Sequence, residues 1–458
     1  MTLDTILRTA DAQIDGAVSR LFDLLRIESI STDPAYEEPC RAAADWLVRE
    51  LTELGFDASR RDTTGHPMVV AHHKADGPHI LFYGHYDVQP VDPLDLWDKD
   101  PFHPALEDTP GGKVIRARGA SDDKGQLMTF VEACRAWKAA TGTLPGNITL
   151  LFEGEEESGS PSLIPFLKAN AEELKADLAL VCDTGMFDAE TPAITTMLRG
   201  MAQEDFTITG PDRDLHSGMY GGPAINPIRV LTRILAGLHD DTGRITLPGF
   251  YDGVPDLPAE VQESWDALPF DAERFLGDVG LSEPAGEQGR SVLEQIWSRP
   301  TCDINGIWGG YTGAGFKTVL PSKASAKVSF RLVGEQDAAK IQQSFRDYIT
   351  DSLPPDCSVE FRGGDPANAT TLPIDAPEFA KARAALSDEW PNEAVFAGCG
   401  GSIPIVGHFR TYLETDSLLI GFGLDDDNIH SPNEKYSLTS YHKGIRSWIR
   451  VLDALTTS

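Results

Sequence analysis

Ile148-Thr149-Leu150-Leu151-Phe152-Glu153-Gly154-Glu155-Glu156-Glu157 is the stretch whose reading decides the fold. A short apolar run with one β-branched hydroxyl reads as a strand buried on both faces, and it stops at a cluster of acids. The pattern recurs along the chain. Ile80-Leu81-Phe82-Tyr83 runs into Gly84-His85-Tyr86-Asp87, and Leu178-Ala179-Leu180-Val181-Cys182 runs into Asp183. Leu418-Leu419-Ile420-Gly421-Phe422 is followed by a loop holding His430. Helical periods lie between these runs, over 6–25, 40–54, 126–140, 377–390 and 441–455. The alternation predicts an α/β fold, a mixed sheet covered by helices on both faces.

The middle of the chain differs. Residues 206–209 and 324–332 alternate apolar with polar, as half-exposed strands do, and 226–238 is an amphipathic helix. Residues 240–300 are rich in Pro, Gly and acids, which predicts loops and short helices. The expected organisation is a catalytic domain over 1–196 and 371–458, interrupted by an inserted α+β domain over 197–370. A chain of 458 residues is too long for one typical core, which agrees with two domains.

A formal charge of −32 argues against nucleic acid or an anionic membrane as partner. It also requires a local basic group wherever an anionic substrate binds. The six cysteines form no CxxC pair and fit reduced thiols in a cytoplasm. No signal peptide and no membrane span is expected.

Ligands of open α/β sheets bind beyond the carboxyl ends of the strands. His85, Glu156 with Glu157, Asp183 and His430 all follow apolar runs, and Asp122 stands just before a helix, where N–H groups steady a carboxylate. Each piece has an ordinary explanation alone: a surface His-x-Asp pair, a solvated acidic run, a helix cap, a turn residue. Their order and placement make the joint case. Two imidazoles, three ligand carboxylates and a spare carboxylate suit a pair of divalent ions with a base, and so metal-assisted hydrolysis.

The strings Gly84-His85-Tyr86-Asp87-Val88-Gln89-Pro90, Arg118-Gly119-Ala120-Ser121-Asp122-Asp123-Lys124-Gly125, Phe152 to Ser160, Leu215-His216-Ser217-Gly218, Gly400-Gly401-Ser402-Ile403-Pro404 and His430-Ser431-Pro432-Asn433-Glu434 resemble a known family. It is the two-zinc family of carnosine dipeptidases, aminoacylases, acetylornithine deacetylases, succinyl-diaminopimelate desuccinylases and a glutamate-releasing carboxypeptidase. The likeness runs over nearly the whole chain and is nearest to the dipeptidase branch.

The resemblance implies that His85 and Asp183 bind one ion, Glu157 and His430 the other, and that Asp122 bridges both, aimed at them by a cis Asp122–Asp123 peptide bond. Zn²⁺ is the first expectation and Mn²⁺ the alternative. Asp87 would orient His85, and Glu156 would take a proton from the metal-bound water and deliver it to the leaving amine. In the inserted domain, a lid and dimerisation domain by this likeness, His216 would steady the oxyanion in the site of the other subunit. Arg331 would hold the substrate carboxylate, a task suited to a guanidinium fork. Thr318, Gly401 and Ser402 would be further substrate contacts, and the helix over 226–238 would pair the subunits.

One position departs from the family pattern: Cys399 stands where an acidic residue often precedes the Gly-Gly-Ser. Asp183, where members acting on N-acylated amino acids tend to have Glu, favours peptides with a free amine. The expectation is a cytoplasmic, homodimeric metallo-dipeptidase acting on small peptides with a free carboxylate. The rivals are a deacylase of N-acyl amino acids, a non-catalytic binding protein on the same scaffold, and a thiol hydrolase using Cys399.

Overall fold

The structure is a computed structural model in which residues 2–401 and 403–456 are described. The chain forms two compact units: Met1–Thr196 with Leu372–Ala397 and His408–Ser458, and Met197–Thr371 with Gly398–Gly407.

The first unit is built on a mixed sheet. Its neighbours run in the order Asp57–Arg61, Met68–His73, Asn147–Glu153, His79–His85, Leu178–Val181, Ser417–Leu419, Ala193–Leu198. The four strands from Asn147–Glu153 to Ser417–Leu419 are mutually parallel. Their sequences read as continuous apolar runs because both faces are covered. Phe82 and Tyr83 show the two faces in successive residues. Phe82 stacks on Phe130 of helix Lys124–Thr141 at 3.8 Å between ring centres and meets Trp448 of helix Leu438–Thr456 at 5.5 Å. Tyr83, directed to the opposite side by the period-2 alternation, meets Phe409 edge-on at 5.7 Å. Parallel strands share a direction, so the carboxyl ends at His85, Glu153, Val181 and Leu419 lie along one edge of the sheet.

The run expected as a strand over 418–422 is regular only for Ser417–Leu419. The N–H of Ile420 still reaches Val181 O, but that of Phe422 turns to Gln126 Oε1 at 2.6 Å, so the chain leaves the sheet there.

The second unit is α+β. Four antiparallel strands stand in the order Thr301–Gly309, Lys323–Leu332, Gly200–Thr209, Ser358–Phe361. The buried alternation along Gly200–Thr209 sends Phe206 and Ile208 inward with Phe330 and Val328. Helices Pro227–Ala236 and Ala338–Asp351 close this core with Leu231, Ile234, Ile341 and Phe345. Residues 240–300 carry three short helices, Ala259–Asp266, Ala272–Gly277 and Val292–Trp297.

One boundary of the expected organisation needs correction. Gly398–Gly407 was expected with the first domain and groups with the second unit. Arg199 is the physical reason: its N–H donates to Gly401 O at 3.1 Å and its Nε to Gly400 O at 2.9 Å. Among the described residues no helix is long and apolar enough to cross a membrane.

Candidate metal centre

His85 is the last residue of its strand and is fully buried. Its Nδ1 lies 3.2 Å from Asp87 O and 3.3 Å from Asp87 Oδ1, so Nδ1 carries a proton toward Asp87 and Nε2 faces the other side. There Nε2 is 3.0 Å from Asp122 Oδ1. The second oxygen of Asp122, Oδ2, is 2.9 Å from His430 Nε2, and His430 Nε2 is 3.3 Å from Glu157 Oε2. Asp183, two residues beyond the strand Leu178–Val181, completes the set. The result is two groups, His85 with Asp122 and Asp183, and Asp122 with Glu157 and His430. Within each group one ligand atom per residue lies within 4.8 Å of the others, and Asp122 belongs to both. The Asp122–Asp123 peptide bond is cis.

The charge balance of this cluster favours cations. Among the described residues the ion pairs of Asp122 and Glu157 are with His85 and His430, and no lysine or arginine pairs with Asp183 or Glu156. Burial alone would depress His85, but the Asp122 and Asp87 carboxylates hold it well above the usual imidazole range. Hydrogen bonds to Asp122 and Glu157 push His430 up to about 10. Burial, then the Asp122 carboxylate, push Asp183 up to about 7. Burial would also raise Asp122, yet the two imidazoles keep it well below the ordinary carboxylate range. Two imidazoles and three carboxylates of this composition fit divalent ions of the Zn²⁺ or Mn²⁺ kind.

The three glutamates after Gly154 part ways. Glu155 is buried and structural: its Oε1 accepts the N–H of His66 at 2.8 Å and its Oε2 that of Ser162 at 3.0 Å. Glu157 joins the candidate group with Asp122 and His430. Among the described residues no lysine or arginine pairs with Glu156. Burial pushes it up to about 8; the Asp183, Asp87 and Glu157 carboxylates push the same way, and His85 opposes them. Asp87 fixes the turn by accepting the N–H groups of Glu156 at 3.3 Å and Glu157 at 3.0 Å.

Two side chains that sequence reasoning left without a role touch this cluster. Gln89 donates from Nε2 to Glu157 Oε2 at 2.7 Å. Glu434 accepts the N–H of Asp122 at 3.1 Å. Both belong to the strings that carry the family likeness, and that membership was the signal available for them.

In the second unit, His216 ends the short strand Leu215–His216, which pairs with Val319–Leu320. The N–H of Ser217 donates to Thr318 O at 3.0 Å, so His216 and Thr318 are neighbours. His216 Nδ1 accepts the N–H of Gly218 at 3.0 Å, which leaves the proton of the neutral ring on Nε2. Arg331 stands on strand Lys323–Leu332, opposite Met201. Burial, then the nearby Arg331 guanidinium, push Arg199 down to about 10. Arg199 in turn holds Gly401. Arg199 thus stands beside the Gly400-Gly401 loop and within the electrostatic reach of Arg331. Ser402 lies outside the described residues.

Residues 81–454 match the family described as Peptidase family M20/M25/M40. The chain is 31% identical to the Cys-Gly metallodipeptidase dug1 of Schizosaccharomyces pombe, over 97% of either chain. The solved structure of the di-peptidase Dug1p from Saccharomyces cerevisiae matches with a TM-score of 0.83 at 27% identity, covering 100% of this chain and 99% of that one. Human carnosine dipeptidase 1 matches with a TM-score of 0.83 at 26% identity, over 99% of each chain.

Proposed function

The chain belongs to peptidase family M20/M25/M40, and from that premise we propose that it is a two-metal dipeptidase, hydrolysing the amide bond of small peptides with a free carboxylate. The observation that carries this is the pair of three-donor groups sharing Asp122, with Glu156 beside them. His85 and Asp183 would hold one ion, Glu157 and His430 the other, and Asp122 would serve both. Such ions, Zn²⁺ first and Mn²⁺ as the alternative, lower the pKa of a water and polarise a carbonyl.

The remaining steps belong to the chain. Glu156 takes the proton of the attacking water on its carboxylate and passes it to the nitrogen of the leaving amine. Asp87 holds both the His85 ring and the turn bearing Glu156, which keeps base and ligands in register. His216 donates from Nε2–H to the oxyanion developing on the scissile carbonyl, the tautomer that its bond with the Gly218 N–H favours. Arg331 binds the substrate carboxylate, supported by the Arg199 guanidinium nearby in a protein otherwise strongly acidic. Thr318, Gly401 and Ser402 complete the substrate contacts.

The working form is a homodimer in the cytoplasm. The edge strand Thr301–Gly309 exposes Ile304, Ile307 and Trp308, a surface that a second copy would cover. The six cysteines form no disulfide, in keeping with a reducing compartment.

The test is a substrate panel on metal-reconstituted protein, with Cys-Gly, β-Ala-His and other dipeptides set against N-acetyl and N-succinyl amino acids. Turnover of dipeptides is expected. Preference for the acylated compounds would make the chain a deacylase, and no turnover on either set with metal bound would make it a binding protein.

A further inference from the structure

Glu434 is completely buried four residues beyond His430, and its two oxygens collect four N–H donors. Oε2 accepts from Arg118 Nη1 at 2.8 Å and from the N–H of Gly119 at 2.9 Å. Oε1 accepts from the N–H of Ser121 at 2.9 Å and of Asp122 at 3.1 Å. All four donors lie in residues 118–122, the loop that delivers Asp122. The same His430 segment grips this loop a second time, where Ser121 Oγ donates to the buried Asp427 Oδ2 at 2.9 Å, and Lys435 Nζ balances that carboxylate at 2.9 Å from Oδ1. Between these two anchors His430 sends Nε2 to Asp122 Oδ2.

The segment does not hold this shape through its own backbone preferences. Asn428, His430 and Asn433 have φ of 55°, 61° and 63°, in the left-handed region that L-residues seldom adopt. Such conformations persist where the surroundings over-determine them. Here the over-determination comes from Asp427 at one end and Glu434 at the other.

We infer that Glu434 is a positioning residue for the metal centre: by gathering the N–H groups of residues 118–122 it sets the carboxylate that both ions share. This rests on the reading of Asp122 as the bridge. A bridging ligand must satisfy two ions at once, so a shift of its backbone weakens both. Gln89 touches Glu157, a ligand of one ion, and its loss should weaken that ion alone. Glu434 must also be a carboxylate rather than an amide. With Gln at this position one acceptor oxygen becomes an NH₂ group facing two N–H donors, which leaves buried donors unsatisfied.

The experiment measures Zn²⁺ affinity of the full-length protein by competition with a chromogenic chelator, below the unfolding temperature of every variant. The parent should bind two ions. Glu434→Gln should bind both ~10–100-fold more weakly, the range for loss of a group supporting a metal ligand, and its activity should return in excess Zn²⁺ because Glu434 touches no reacting atom. Gln89→Ala should weaken one ion only. A folded Glu434→Gln that binds both ions as the parent does, or that weakens one alone, overturns the inference. If Glu434→Gln does not fold, Asp427→Asn loosens the same segment at its other end; joint weakening there supports the inference and unchanged affinity overturns it. A parent that binds fewer than two ions defeats the two-metal reading itself, and the inference with it.

Discussion

The carboxylate of Asp87 accepts the backbone N–H of Glu157 through Oδ2 at 3.0 Å. Its other oxygen is 3.3 Å from His85 Nδ1. One buried side chain therefore joins His85 of one candidate metal group with the turn that carries Glu157 of the other. Asp87→Asn places an amide where two N–H groups and a ring N–H converge. Metal affinity and turnover should fall together, each by about 10–100-fold. Metal analysis and kinetics on the same preparation check this; loss of turnover with unaltered affinity would confine Asp87 to the chemistry.

Glu156 and Glu157 are adjacent and should fail differently. Glu156→Ala should keep its ions and lose turnover by ~10²–10⁴-fold, the usual contribution of a general acid–base group. Glu157→Ala should lose metal affinity instead. Near-parental activity in Glu156→Ala, or exchanged phenotypes, would show that the roles within the acidic triplet are misassigned.

The sheet edge that gathers the candidate ligands was legible because its strands are apolar on both faces and end abruptly in His or acid, as at His85 and Asp183. The division of labour within Glu155-Glu156-Glu157 is not a property of composition. It follows from Glu155 turning to the N–H groups of His66 and Ser162, contacts that span separate loops. The string His430 to Glu434 marks Glu434 but not its task, since its partners lie more than three hundred positions earlier in the chain. The early end of the strand at Leu419 also escaped the apolar pattern, because Ile420 and Phe422 are still buried where the chain turns out of the sheet.

Metal removal gives a direct reading of stoichiometry. Chelation should abolish hydrolysis, and activity should return as two equivalents of Zn²⁺ or Mn²⁺ are added per chain, with the ions about 3.5–4 Å apart in a metal-bound crystal structure. Full turnover with one ion per active chain would remove the two-metal mechanism.

Away from the site, Glu389 predicts an acid-sensitive element of stability. It is buried against helix Leu438–Thr456, with Arg446 Nε at 2.7 Å and Arg450 Nε at 2.8 Å. Burial alone would raise its pKa, but the two guanidiniums outweigh it and hold the carboxyl below the usual range. A depressed folded pKa means stability that is present above the unfolded value, ~4.3, and lost as pH falls through the folded one. Glu389→Gln should cost about 1–3 kcal/mol at neutral pH, and the gap to the parent should close as the pH drops below about 4. Denaturant midpoints across pH measure this; a gap independent of pH would exclude the ion pairs as its source.

His216 poses the sharpest test of assembly. It belongs to the second compact unit, whereas Glu156 and the candidate metal ligands belong to the first. An oxyanion donor is worth roughly 10²–10³-fold in turnover, so His216→Ala should damage turnover by that factor with metal content unchanged. If His216 serves the partner subunit, inactive His216→Ala protein and inactive Glu156→Ala protein should rescue one another. In a mixed dimer, the site with its own Glu156 receives an intact His216 from the partner, while the other site lacks both groups. Equal mixing with free subunit exchange makes half the dimers mixed, each with one good site, so roughly one quarter of parental activity should return. A mixture that stays inactive despite proven exchange would place His216 in the service of its own chain, or outside catalysis altogether.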